Sequence, residues 1–192
     1  ILMSSGRGAW APFEGVRAPL HARVLVVQSG QRRVGLVSLD LLGLAGDAVG
    51  GMPAFKERIV AAAKGVIAAD DLLVASTHTH SGPESLALSE LYQTQPFQDW
   101  VRRLAERIGV ALAEAGQEMR PARLAAGTGH APGLGENRRI KTSRGITAAR
   151  AVRPTDTVLG PEGPADDRVL VLAFLDEADR PLAALVNATA HP

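Results

Sequence analysis

The strongest constraint on the fold is Val169-Leu170-Val171-Leu172-Ala173-Phe174-Leu175, an unbroken apolar run between polar segments. A run of this kind predicts a strand, the strongest in the chain. Asp176-Glu177-Ala178-Asp179-Arg180-Pro181 follows as a turn, and Leu182-Ala183-Ala184-Leu185-Val186-Asn187 returns as a second apolar run. Two such runs around a polar turn predict a β-hairpin. The same arrangement stands near the start of the chain. Arg23-Val24-Leu25-Val26-Val27 and Val34-Gly35-Leu36-Val37-Ser38-Leu39 flank the glycine-containing turn 28–33.

Helical spacing lies between the hairpins. Pro53 suits a first helical turn, and Phe55, Ile59, Ala62, Ala63 and Val66 then recur on one helix face. Leu72-Leu73-Val74-Ala75-Ser76 predicts a short buried strand. A second helix is expected over 95–115, with Trp100, Leu104, Ile108 and Leu112 on its apolar face and Arg102, Arg103, Glu106 and Arg107 mostly opposite. Ala122-Arg123-Leu124-Ala125-Ala126 reads as another strand, 127–135 as a glycine-rich loop, and 141–167 as a long loop. Strands and helices that alternate early, with hairpins at both ends, predict an α/β class: a mixed β-sheet with flanking helices and hairpins.

Composition narrows the function. The 192 residues carry 21 basic and 20 acidic side chains, a net charge of +1. A dedicated nucleic-acid binder would show a basic excess, so that class is set aside. No apolar run approaches the roughly 18 residues of a membrane-spanning helix. Cysteine is absent, which removes disulfides, thiolate metal sites and a cysteine nucleophile. The start, Ile1-Leu2-Met3-Ser4-Ser5-Gly6, has no signal-peptide pattern. The end, Ala190-His191-Pro192, directly follows a strand-like run, so 1–192 is read as the N-terminal part of a larger catalytic domain.

The chemistry concentrates in Ser76-Thr77-His78-Thr79-His80-Ser81-Gly82-Pro83, which begins where a buried strand ends. In an extended chain, alternate residues project to one side, so His78 and His80 are expected to share a pocket. Neutral imidazoles suit zinc, and catalytic zinc sites keep one position open. The hydroxyls of Thr77, Thr79 and Ser81 are placed to steady the rings from behind, and Gly82-Pro83 turns the chain away. His191 ends another strand, with Asn187 and Thr189 nearby. A lone strand-end histidine is more often structural, and this one gains weight only if its strand lies near the one before His78. His21 reads as a surface residue and His130 as a loop residue. Arg138 and Arg139 are either a solvated face or a guanidinium fork for a substrate oxygen. Asp40 reads more simply as a cap than as a partner behind a site. No GxSxG elbow, Walker A motif or HExxH motif is present.

Ser76 to Pro83 resembles the Thr-His-Thr-His-Ser-Gly-Pro segment of the neutral/alkaline, non-lysosomal ceramidases. Further blocks resemble that family in the same order. They are Leu20-His21-Ala22-Arg23-Val24-Leu25-Val26, Val37-Ser38-Leu39-Asp40-Leu41, Asn137-Arg138, Asp167-Arg168-Val169-Leu170-Val171-Leu172-Ala173-Phe174, and Leu185-Val186-Asn187-Ala188-Thr189-Ala190-His191-Pro192. The resemblance implies a zinc-dependent amidase that cleaves the N-acyl bond of ceramide to sphingosine and fatty acid. It makes His78 and His191 zinc ligands, sets His80 beside the metal to position or stabilise the reacting carbonyl, and gives Arg138 to the substrate. It also implies a lipid or small amide substrate, a secreted or periplasmic location, and further ligands and a catalytic serine region beyond residue 192. Arg139 departs from the small serine that the family carries there. Two alternatives stand beside this reading. One is a metal-dependent hydrolase of another amide or ester, such as an amidohydrolase barrel, which also opens its metal site with His-x-His but needs a repeating βα pattern. The other is a non-catalytic ceramidase-like binding domain.

Overall fold

Hydrophobic alternation and two glycine-assisted turns set the first sheet. The computed structural model describes residues 2–3, 11–12 and 15–191. Two short strands, β1 (Leu2–Met3) and β2 (Ala11–Pro12), pair antiparallel. The predicted hairpin forms from β3 (Ala22–Ser29) and β4 (Arg32–Leu39), antiparallel from Ala22 opposite Leu39 to Ser29 opposite Arg32. Its turn is tighter than the polar stretch suggested, because Gly30 takes φ 58° and reverses the chain at once. Helix α1 (Met52–Ala62), with Pro53 in its first turn, carries the chain over to β5 (Leu72–Ser76). β5 then lies parallel to β4, from Gly35 opposite Leu72 to Leu39 opposite Ser76, in the sheet order β3-β4-β5.

α1 stops sooner than the spacing of Val66 implied. Lys64 and Gly65 both take positive φ, 52° and 79°, and end the helix before that residue. Helix α2 (Gln95–Gln117) follows the loop after β5. Its buried stripe is Phe97, Val101, Ala105, Ile108 and Leu112. Trp100 and Leu104 are half-buried at its margin, so the apolar face is rotated from the one expected. α1 and α2 pack in direct contact at Gly109, where a Cβ would fall 2.3 Å from the Ile59 carbonyl oxygen and 2.5 Å from the Ala62 Cβ. Phe55, Ile59, Leu39, Leu72, Val101, Ile108 and Leu112 form the core between these helices and the sheet.

The chain divides into two compact units, one running to Met119 and the other spanning Arg120–His191. The second unit holds two antiparallel sheets. One has the order β11-β10-β6, formed by β6 (Arg123–His130), β10 (Arg168–Leu175) and β11 (Pro181–Ala188). The strongest predicted strand is therefore its centre. Here the sequence reading needs two corrections. Gly127 to His130 is not loop but the end of β6, paired with β10 up to His130 opposite Arg168. The stretch 141–167 is not one long loop either. With Arg139 and Ile140 it supplies β7 (Arg139–Thr142), β8 (Gly145–Ala148) and β9 (Val158–Pro161), in the order β8-β7-β9. These strands are too short to show a period. Arg144 anchors them instead, through two hydrogen bonds to the nearly inaccessible Asp156 carboxylate, at 2.5 and 2.7 Å. Among the described residues, every buried apolar side chain belongs to the first unit.

Candidate metal centre

The β4–β5 ladder extends one residue past β5, where the Thr77 amide donates to the Leu39 carbonyl at 2.9 Å. His78 then takes φ 62°. This is the left-handed region, which costs an L-residue roughly 1–2 kcal/mol and collects at functional sites. The kink replaces the extended geometry that the sequence suggested. It still brings the two imidazoles together. The rings of His78 and His80 have centroids 5.1 Å apart and stand edge to face at 85°. Each offers a ring nitrogen within 4.8 Å of the other's.

His78 Nδ1 lies 2.7 Å from the Leu42 carbonyl oxygen. A carbonyl only accepts, so Nδ1 carries a proton, and in the neutral imidazole Nε2 then carries the lone pair. This is how a metal-ligating histidine is usually oriented from behind. The sequence reading gave that task to neighbouring hydroxyls. Thr79 Oγ1 instead accepts the Ser81 amide at 3.2 Å and shapes the turn. From Gly82 to Ser85 the chain is buried. A Cβ at Gly82 would meet Leu20 Cδ1 at 3.3 Å and the Asp40 carbonyl oxygen at 3.5 Å. Glu84, which the sequence reading passed over, is 1% exposed and accepts the amides of Leu86 and Leu88 and the Ser89 hydroxyl.

Asp40 proves structural. Its carboxylate accepts the His21 amide at 3.0 Å and an Arg23 guanidinium N–H at 3.2 Å, closing the open end of the β3–β4 hairpin. His21 is exposed beside it, as expected.

In the second unit, His191 follows β11 and lines a cavity of about 350 Å³ with Glu136, Asn137, Asp166 and Thr189. Asn137 fixes this loop from both ends of its amide. Its Oδ1 accepts the Arg139 amide at 2.9 Å, and its Nδ2 donates to the Gly163 carbonyl at 3.2 Å. Arg138 is exposed, and its carbonyl accepts the Ala149 amide at 2.7 Å. Arg139 spends its charge on Glu162, whose carboxyl is held below its ordinary value by that hydrogen bond. Arg168 does the same for Asp166 and draws its carboxyl down to about 2. His130, at the end of β6, meets the Asp167 carboxylate at 2.8 Å. The expected site residues thus fall into two groups, with His78 and His80 in the first unit and Arg138 and His191 in the second.

No family model matches the sequence, and no curated protein matches it either. Solved structures do. A ceramidase complexed with C2 matches at a TM-score of 0.59 and 22% identity, over 88% of this chain and 25% of that one. Neutral ceramidase from Pseudomonas aeruginosa matches at a TM-score of 0.55 and 24% identity, over 88% of this chain and 26% of that one. The chain therefore spans about a quarter of the length of the ceramidases it matches. An amidohydrolase barrel is not what forms. Among the described residues β4 and β5 are the single parallel pair, where a barrel needs a series of them. The α/β arrangement of this chain is therefore similar in fold to part of a neutral ceramidase.

Proposed function

We propose that the protein is a zinc-dependent amidase of the ceramidase kind, which hydrolyses the N-acyl bond of a ceramide to a sphingoid base and a fatty acid. The observation that carries this reading is the orientation of His78 within a ceramidase fold. Its Nδ1 proton is engaged by Leu42, and its Nε2 lone pair is the one a metal takes. His78 and His191 are the proposed zinc ligands, the second assigned through its place in the Asn-x-x-x-His-Pro pattern at the end of β11. When bound, zinc would lower the pKa of its water and polarise the amide carbonyl. His80, edge-on to His78, is assigned to hold the carbonyl oxygen of the scissile amide by a ring N–H. Arg138 is assigned to the substrate, through its planar fork of donors. Its neighbour Arg139 is neutralised by Glu162, so the extra charge at that position does not face the substrate loop alone.

Among the described residues no helix is long and apolar enough to cross a membrane. From the likeness to ceramidases we infer a secreted or periplasmic setting, with peripheral contact at a lipid surface. The test is hydrolysis of a fluorescent N-acyl sphingosine by the protein at its natural length, before and after removal of metal by a chelator. Expected is hydrolysis that the chelator abolishes and added zinc restores. Hydrolysis indifferent to the chelator would remove the metal from the mechanism. Zinc-loaded protein inert towards ceramides but active on another acyl amide would move the substrate assignment.

A further inference from the structure

We propose that Glu84 is a positioning residue for the His78 imidazole, acting through the two loops that follow β4 and β5. The proposal rests on the reading of His78 as a metal ligand, but it concerns the metal-free protein first. Glu84 is 1% exposed, and no ion pair among the described residues involves it. A carboxylate buried without a cation is costly unless hydrogen-bond donors converge on it. Three do. Its Oε1 accepts the Leu86 amide at 2.7 Å and the Leu88 amide at 3.2 Å, and its Oε2 accepts the Ser89 hydroxyl at 3.2 Å. The two amides flank Ala87, which is held at φ 55°. Glu84 thus secures a local conformation that alanine does not favour.

That conformation places Leu86 directly against Gly43, where a Cβ would fall 2.6 Å from Leu86 Cδ2. Ser85 reinforces the contact, since its carbonyl accepts the Ala45 amide at 3.3 Å. Gly43 is bonded to Leu42, and the Leu42 carbonyl is the acceptor for His78 Nδ1. The chain of contacts runs from the Glu84 carboxylate through Leu86 and Gly43 to the Leu42 carbonyl. It ends at the ring nitrogen that decides which face of His78 a metal meets. Loss of Glu84 frees Leu86, lets the Leu42 loop drift, and releases the tautomer of His78.

The experiment is long-range proton–nitrogen NMR of the His78 ring in metal-free protein, with zinc affinity measured on the same samples. The variants are Glu84→Ala, Glu84→Gln and Gly43→Ala. In the unaltered protein the Nδ1–H form should dominate. Glu84→Ala should mix the tautomers and weaken zinc by about tenfold or more, in the range seen when a ligand's supporting partner is removed. Gly43→Ala should do the same with Glu84 intact, because its methyl pushes Leu86 away. Glu84→Gln keeps the shape and an acceptor for both amides, and should stay within about threefold of the unaltered protein in zinc affinity. A folded Glu84→Ala protein with an unchanged His78 tautomer would overturn the proposal, whatever its stability. So would rapid exchange of the Leu86 and Leu88 amides in the unaltered protein, a readout that needs no variant. A tautomer that shifts as expected in a protein that never binds zinc would uphold the positioning role while ending the zinc reading.

Discussion

At the scale of single residues, the two histidines of the His-Thr-His segment have different surroundings, and we propose different work for them. His78 is kinked into the left-handed region and tethered through Nδ1 to Leu42. His80 stands edge-on to it. His78→Ala should therefore empty the metal site. His80→Ala should lower turnover by about 100-fold or more, as loss of a positioned hydrogen-bond donor does, with zinc content largely kept. Metal analysis beside single-turnover rates separates the two, and equal loss of zinc in both variants would show the roles to be wrongly divided. A second residue-scale expectation follows from Ala87 at φ 55°. Ala87→Gly should raise stability by up to about 1 kcal/mol in urea unfolding, because glycine takes this conformation freely. An unchanged or lower midpoint would mean that the neighbouring Glu84 hydrogen bonds already absorb the strain.

At the scale of elements, the tightest constraint is the contact of α1 with α2. Nothing larger than hydrogen fits at Gly109, which faces the Ile59 carbonyl and Ala62. Gly109→Ala should cost about 1–3 kcal/mol despite the better helix propensity of alanine, the usual penalty for overpacking. A stabilised variant in urea unfolding would show that the helices can separate cheaply. The elements legible in the sequence were those with a long apolar pattern. The β3–β4 hairpin, α1, β5, α2 and β10 each carry a period or an apolar run long enough to read. The strands β7, β8 and β9 were not legible, because each is only 4 residues long and their order comes from Arg144, Asp156 and backbone ladders. The end of β6 was hidden for a related reason: Gly127 and Gly129 read as loop, while their pairing with β10 is a property of the partner strand. The His-Thr-His segment was legible as a pair of neighbouring imidazoles. Its kink, the Leu42 carbonyl behind it and the Glu84 staple were not, since each depends on a contact between distant loops.

At the scale of the whole molecule, stability should be sensitive to acid through carboxylates held by arginine. The Asp156 carboxyl lies well below its ordinary value of 3.8, chiefly through the Arg144 hydrogen bond and then the Arg153 amide. A depressed folded value means that the unfolded chain binds the proton more readily. The stabilisation is therefore complete above the ordinary value and is lost as the pH falls towards the folded one. Asp166, drawn to about 2 by Arg168, behaves in the same way. In urea unfolding, the advantage of the wild type over Asp156→Asn should hold between about pH 5 and pH 7 and shrink below about pH 4. An advantage that stays constant into acid would deny Asp156 its charged role. The central proposal is that His78 and His191 are zinc ligands. Its most direct test is the zinc content of the protein at its natural length, measured by atomic emission for the wild type, His78→Ala and His191→Ala. The account predicts about one zinc per chain in the wild type and a loss of about tenfold or more in each variant. Full zinc retention in either variant, or a wild type that takes up none when zinc is supplied, would contradict it.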